Sequence, residues 1–392
     1  MAKRFPVYAQ ALLGMFLGIA AGLYLGKEAA VLGVVSKYLI EVIKWIAMPL
    51  LFFAILDAIL RAEFHGKGFA RLLGICALNG TAAITIALVL SNLFEGGKYL
   101  PLTKPQGFAF DTHGWIGGFE KAFSTNNKAS LFSGTTAVII IALGLGAIFT
   151  VVKKNLAFAR PLNQFQSLIT LGLNFLFRAI EWVTLFLPLA VFGSVAKAVG
   201  LHGLGVFQGL AVYFILGFGG MLLQVMLTYH SWIRFYAKIP LKRFWREAKE
   251  PVIYSFGINS SLATLPITLR SLSRLRVSDS SARLSACVGT NFNNDGILLY
   301  EVVAALFLIQ AYGISLPLPQ QILVAGLCLI ACLGVAGVPE AGIISLTLVL
   351  SAVHLPVEAL SLLLSVDWVL ARCRSMTNVL GDMTCAVVLD KS

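Results

Sequence analysis

Two stretches of this chain carry polar chemistry inside apolar surroundings. The first is Gly289-Thr290-Asn291-Phe292-Asn293-Asn294-Asp295-Gly296. Two Gly, three Asn and one Asp in eight residues make a poor helix, yet apolar residues flank the segment on both sides. Unwound there, it presents backbone carbonyls, amide oxygens and a carboxylate, a ligand set for a hard cation. The second stretch runs from Asp367 to Asp382. At about 100° per residue, Asp367, Ala371, Arg374, Ser375, Asn378 and Asp382 fall within roughly a 100° arc of one helix. Such a stripe faces protein or ligand rather than lipid. Arg374 offers a planar fork suited to a carboxylate, and Asp382 an anionic oxygen ligand. The two charges stand about two turns apart, so each is expected to serve a different ligand.

The elements that must position these groups follow from composition. Of 392 residues, 58% are hydrophobic and only 12% charged; a soluble domain carries about twice that charge. The net charge of +12 sits in short clusters between apolar runs, which excludes disorder and a nucleic-acid-binding tail and points to a polytopic membrane protein. The six cysteines all lie in apolar segments without a CxxC pair, and read as small buried hydrophobes. With no convincing cleavage site after it, the apolar run near the N-terminus reads as a first spanning helix rather than a signal peptide.

Roughly 20 apolar residues cross a bilayer. Candidate spans are residues 8–25, 39–60, 69–94, 131–152, 165–198 and 203–236. Lys3-Arg4, then Arg61, Lys67 and Arg71, then Lys153 and Lys154, then Arg234 to Lys249 recur on one side. The positive-inside rule makes that side, and the N-terminus, cytoplasmic. Beyond Pro251 the pattern changes. An apolar run over 252–269 is broken by Asn259-Ser260-Ser261 and Pro266, and basic residues hold both its ends on the cytoplasmic side. It is expected to enter and return. Residues 319–350 repeat the pattern, broken at Gly337-Val338-Pro339-Glu340-Ala341-Gly342 and free of Lys and Arg. Two interrupted hairpins of opposite orientation point to a transport site between inverted repeats. The expected fold is an all-α polytopic membrane protein with eight transmembrane helices and two re-entrant hairpins. Residues 1–250 would hold the first six helices and 251–392 the transport core.

Four motifs in order now resemble a known family, the dicarboxylate/amino acid:cation symporters that include the glutamate transporters. They are Ser260-Ser261-Leu-Ala-Thr264-Leu-Pro266, Asn293-Asn-Asp295-Gly296, Gly337-Val-Pro339-Glu-Ala-Gly342, and Asp367-Trp through Asn378-Val-Leu-Gly381-Asp382. The resemblance implies a homotrimer in the cell membrane, with both termini cytoplasmic and a mobile transport domain moving against a rigid scaffold. It implies that Ser260, Ser261 and the backbone around Val338 hold substrate together with Arg374, Ser375 and Asn378. It places one sodium among Asp382, Asn378, Asn293 and the Gly289 carbonyl, and a second near Asn291. A further cation site would keep Asp295 and Asn293 but lose its third-helix ligands, which align with Cys76, Asn79 and Gly80. Arg372 occupies a position used in the animal branch.

The resemblance makes the protein a secondary symporter rather than an enzyme: none of the five histidines lies in the site motifs, and no hydrolase motif occurs. A channel is the competing class. The coupling ion is expected to be sodium, with protons on Asp295, Glu340 or Asp382 as the alternative. Amino-acid carriers of the family place an aspartate where Ala371 stands, to receive the amino group. Ala371 accepts no such bond, so the expected solute is a small anionic C4-dicarboxylate. Glu340 keeps aspartate or glutamate open by reaching in as a substitute.

Overall fold

The computed structural model describes residues 7–61, 67–100, 102, 141, 144–145, 148–149, 159–333, 341–353, 355–356 and 359–391. All regular structure among them is helical. The chain opens with α1 (Val7–Leu25), a 3-10 segment (Gly26–Leu32), α2 (Gly33–Arg61) and α3 (Lys67–Phe94). After the partly described region come α4 (Ala159–Thr184), α5 (Leu187–His202) and α6 (Val206–Leu223). Residues 203–236 read as one span. The structure continues α6 through two π turns, Gln224–Tyr229 and Trp232–Tyr236. The expected long span over 165–198 is instead two helices. Pro188 sits in the first turn of α5, where its missing N–H costs nothing, and the chain breaks just before it. Most of the expected span 131–152 lies outside the described residues.

A stripe of glycines decides how the first helices meet. A Cβ at Gly14, Gly18 or Gly22 would stand 2.5–2.7 Å from the carbonyl oxygens of Pro188, Phe192 and Ala196 on α5. The four-residue spacing keeps these glycines on one face and lets the two backbones touch, the packing mode of helices in lipid.

The C-terminal half begins with α7 (Leu241–Ile258) and α8 (Ser261–Arg274), which pack on each other across a tight turn. The expected break falls at Asn259, which holds left-handed backbone (φ 57°) as the C-cap of α7. Ser260 then caps α8 by accepting from the Ala263 N–H at 3.2 Å. The arms are longer than residues 252–269, because the basic first half of α7 carries no membrane-like hydropathy and still coils, and Pro266 stays inside α8. A short α9 (Asp279–Arg283) runs through a π turn and a 3-10 turn, Gly289–Asn291, to irregular backbone before α10 (Asp295–Ala311). The expected unwinding is therefore present, confined to the residues just before Asp295. α11 (Leu318–Leu333) and α12 (Ala341–Ala352) pack together and against α10; the expected break between them, with Gly337, Val338 and Glu340, lies outside the described residues. The chain closes with α13 (Leu360–Leu389).

Helices α10 and α13 form the centre: nearly every residue of α10 and most of α13 are buried. α10, apolar almost all round, has no solvent face to present, so neighbours must enclose it. Four stretches among the described residues are long and apolar enough to cross a bilayer: Leu13–Leu39, Gly68–Phe94, Gly203–Tyr236 and Asp279–Ala311.

Candidate functional site

Arg374 lies in the buried middle of α13, 3% exposed. Its Nη1 donates to Asp367 Oδ1 at 2.7 Å and its Nη2 to Asp367 Oδ2 at 3.3 Å. The guanidinium stacks over Tyr300 of α10, with Cζ 3.9 Å from the ring centroid. Gly342, at the start of α12, covers another side: a Cβ there would come within 2.8 Å of Cζ. The pairing with Asp367 was not expected. Seven residues are close to two whole turns, and helical side chains lean toward the N-terminus. Arg374 therefore reaches back to Asp367 and away from Asp382, which keeps the two expected functions apart.

Around Arg374 the structure gathers part of the expected substrate set. Ser375 Oγ donates to Asn259 Oδ1 at 3.0 Å, tying the turn between α7 and α8 to α13. Ser260 and Ser261 are buried beside that turn, and Ala371 is buried one turn before Arg374. Arg372 does not join them. Two residues turn a helix by about 200°, and Arg372 Nη1 folds back on the Trp368 carbonyl at 2.7 Å. Val338 and Glu340 are outside the described residues.

One turn beyond, a polar network joins α3, α6, α10 and α13. Asn378 Oδ1 accepts the Gly296 N–H at 2.9 Å, and its Nδ2 donates to Asn294 Oδ1 at 3.3 Å. Gly296 is required here, since a Cβ would sit 2.7 Å from the Arg374 carbonyl oxygen. Asn294 Nδ2 donates to the Cys332 carbonyl at 3.2 Å, at the end of α11. Asn293 Oδ1 accepts from Asn79 Nδ2 at 3.2 Å, and Trp232 donates to Asn79 Oδ1 at 2.9 Å.

The two expected cation-binding carboxylates have different surroundings. Asp295 Oδ2 accepts from Tyr229 Oη at 2.8 Å and from Gln224 Nε2 at 3.4 Å. Both donors sit in the first π turn after α6, a kind of irregularity common at functional sites. Asp382 Oδ1 and Asn293 Nδ2 are buried and find no hydrogen-bond partner among the described residues. An orphaned carboxylate oxygen in such a place is what a desolvated cation requires. Of the other expected ligands, the Gly289 carbonyl already accepts from the N–H groups of Phe292 and Asn293, at 2.7 and 2.9 Å. Asn291 is half-buried, its Nδ2 toward the Val288 carbonyl at 3.5 Å.

The sequence reading missed Glu301. It is fully buried on α10, accepts from Ser345 Oγ of α12 through Oε1, and leaves Oε2 without a partner among the described residues. The available signal was a lone carboxylate in the apolar run after Gly296, where an ionisable residue marks function by default.

The chain as a whole is similar to known proteins. The profile of the sodium:dicarboxylate symporter family matches residues 7–392. The C4-dicarboxylate transport protein of Anaeromyxobacter sp. is 28% identical over 98% of this chain and 89% of its own length. C4-dicarboxylate transport protein 2 of Pseudomonas paraeruginosa is 26% identical over 98% and 90%. That of Mesorhizobium japonicum is 27% identical over 99% and 90%. With a profile match that runs over almost its whole length and several helices apolar enough to cross a bilayer, this chain is a membrane-inserted member of the sodium:dicarboxylate symporter family.

Proposed function

We propose that the protein is a secondary active symporter that couples inward sodium movement to uptake of a C4-dicarboxylate such as succinate, fumarate or malate. The observation carrying this reading is the buried Arg374 with apolar Ala371 one turn before it. Arg374 recognises a carboxylate by charge-assisted hydrogen bonds. Ala371 provides nothing for an ammonium group, and burying one unpaired costs several kcal/mol. The names of the relatives agree with a dicarboxylate.

Asp367 holds the guanidinium oriented before a solute arrives, so little entropy remains to be lost on binding. Gly342 lies against it, so a solute carboxylate gains access when the first turn of α12 lifts. Sodium is best accommodated beside Asp382, whose orphaned oxygen supports the assignment, with Asn293 as neighbour. The remaining parts of the reading are eight spans with two re-entrant hairpins and cytoplasmic termini in the plasma membrane. They include a homotrimer in which the core of residues 251–392 moves against a scaffold taken from residues 1–250.

The test is uptake of labelled succinate into proteoliposomes, with sodium replaced by choline and with unlabelled succinate or aspartate as competitor. Concentrative, sodium-dependent uptake competed by succinate is expected. Uptake driven by a pH gradient alone would assign the coupling to protons, and purely downhill flux would assign a channel. High-affinity aspartate uptake, lost in Glu340→Gln, would restore the amino-acid reading.

A further inference from the structure

At the edge of the molecule where the basic loops gather, a cavity of about 470 Å³ opens between three segments far apart in sequence. Lys238 and Arg243 reach it from the entry to α7, Arg276 from the turn after α8, and Lys391 from the end of α13. None of the four forms an ion pair among the described residues; Arg243 donates to the Leu275 carbonyl at 3.3 Å. The one carboxylate in the lining, Asp390, is engaged: its Oδ1 accepts the Ser278 N–H at 3.0 Å. Lys238 (φ 54°) and Arg276 (φ 65°) both hold left-handed backbone, a conformation costly for a residue with a side chain and kept where the surroundings enforce it. Basic loops orient a membrane protein wherever they lie. Orientation alone does not require four cations from three segments to line one concavity.

A second cavity, about 620 Å³, adjoins the first, and Tyr236 lines both. Ile75, Ala77, Leu78, Trp232 and Val388 give it largely apolar walls, with Arg71 and Thr81 also in the lining. Tyr236 ends the apolar stretch Gly203–Tyr236, so the two cavities meet at the end of a stretch long and apolar enough to cross a bilayer. A cationic chamber joined to an apolar groove there matches an amphiphile with an anionic head. The geometry points to a binding site for an anionic phospholipid, its phosphate held among Lys238, Arg243, Arg276 and Lys391 and an acyl chain along the groove of α3. Free phosphate shares the head chemistry but leaves the groove without a role.

The full-length protein in neutral detergent tests this by native mass spectrometry. Dioctanoyl-phosphatidylglycerol, dioctanoyl-phosphatidylcholine and inorganic phosphate are the three probes. Phosphatidylglycerol is expected to bind at least about tenfold tighter than phosphatidylcholine, and millimolar phosphate should not displace it. Lys238→Asn with Arg276→Asn keeps residues that tolerate left-handed backbone. At about fivefold per charge, this pair should weaken phosphatidylglycerol roughly 25-fold and leave phosphatidylcholine unchanged. Gly74→Phe enters the groove, where a Cβ meets nothing within 4 Å, and should weaken both lipids. Equal affinity for the two lipids, or an unchanged phosphatidylglycerol affinity in the double variant, overturns the proposal. So does displacement by phosphate with no effect of Gly74→Phe, which would make the chamber a free-phosphate site.

Discussion

Replacing Gly342 with Ala tests whether α12 closes over the Arg374 guanidinium in the proposed binding form. The added Cβ would stand 2.8 Å from Arg374 Cζ and 3.0 Å from both Nε and Nη2. Carbon atoms rest at about 3.5–4.0 Å, so roughly 0.7 Å must be found. Arg374 cannot supply it cheaply. Tyr300 backs the guanidinium at 3.9 Å, and two hydrogen bonds hold it to Asp367. Breaking that buried pair would cost about 3–5 kcal/mol. Displacing the first turn of α12 is an overpacking problem worth about 1–3 kcal/mol, so the turn moves.

If the closed form of α12 completes the binding site, that cost comes out of substrate affinity. At about 1.4 kcal/mol per factor of ten, Gly342→Ala should raise the apparent KM for succinate roughly 5- to 150-fold. The assay is labelled succinate uptake in proteoliposomes at fixed sodium, beside thermal unfolding of the detergent-purified protein. Gly326→Ala on α11 is the control, since a Cβ there meets nothing within 4 Å. A KM within twofold of the parent, with unchanged unfolding, would mean that Gly342 does not close on Arg374 in the binding form.

Asp382→Asn preserves size but removes the charge that offsets cation desolvation. Uptake should fall severely with the fold intact, and the sodium concentration for half-maximal rate should rise; an unaltered sodium dependence excludes it as a ligand. Ala371→Asp should shift competition from succinate toward aspartate by about tenfold or more, and an unchanged succinate-to-aspartate ratio counts against the substrate assignment. Asp367→Asn leaves a buried guanidinium uncompensated, so thermal stability should drop by about 3–5 kcal/mol; a loss below 1 kcal/mol would show that the pair is not essential to the fold.

The breaks in the helices were legible because glycine, asparagine and serine act locally. Asn259 takes the left-handed turn and Ser260 the cap, as their side chains favour. The unwound stretch before Asp295 follows from composition in the same way. What stayed hidden depends on partners distant in sequence. Tyr229 and Gln224 meet Asp295 because α6 ends in a π turn, and nothing in the apolar run from Gly203 announces that register change. The Arg374–Asp367 pair follows from helix geometry, since seven residues are close to two whole turns. Glu301 was overlooked although its charge stands alone in its run.

If the proposed symport holds, the arrangement offers a physical route for coupling between ion and solute. Asp382 and Asp295 share one buried region, but Asp295 is satisfied by a phenol and an amide whereas Asp382 keeps an oxygen without a partner among the described residues. On the proposed reading a cation would sit on the Asp382 side, where Asn293 is a neighbour. Asn293 and Asn294 are adjacent in the irregular backbone, so a shift of one carries the other. Asn294 is bonded to Asn378, one turn from Arg374, and to the Cys332 carbonyl at the end of α11. A ligand acts at a distance when it binds two arrangements of a shared element unequally. In the proposed symport that element would be the backbone of Phe292-Asn293-Asn294, which lies beside Asp382 and whose Asn294 hydrogen bonds end on the helix that carries Arg374 and on the arm that pairs with α12.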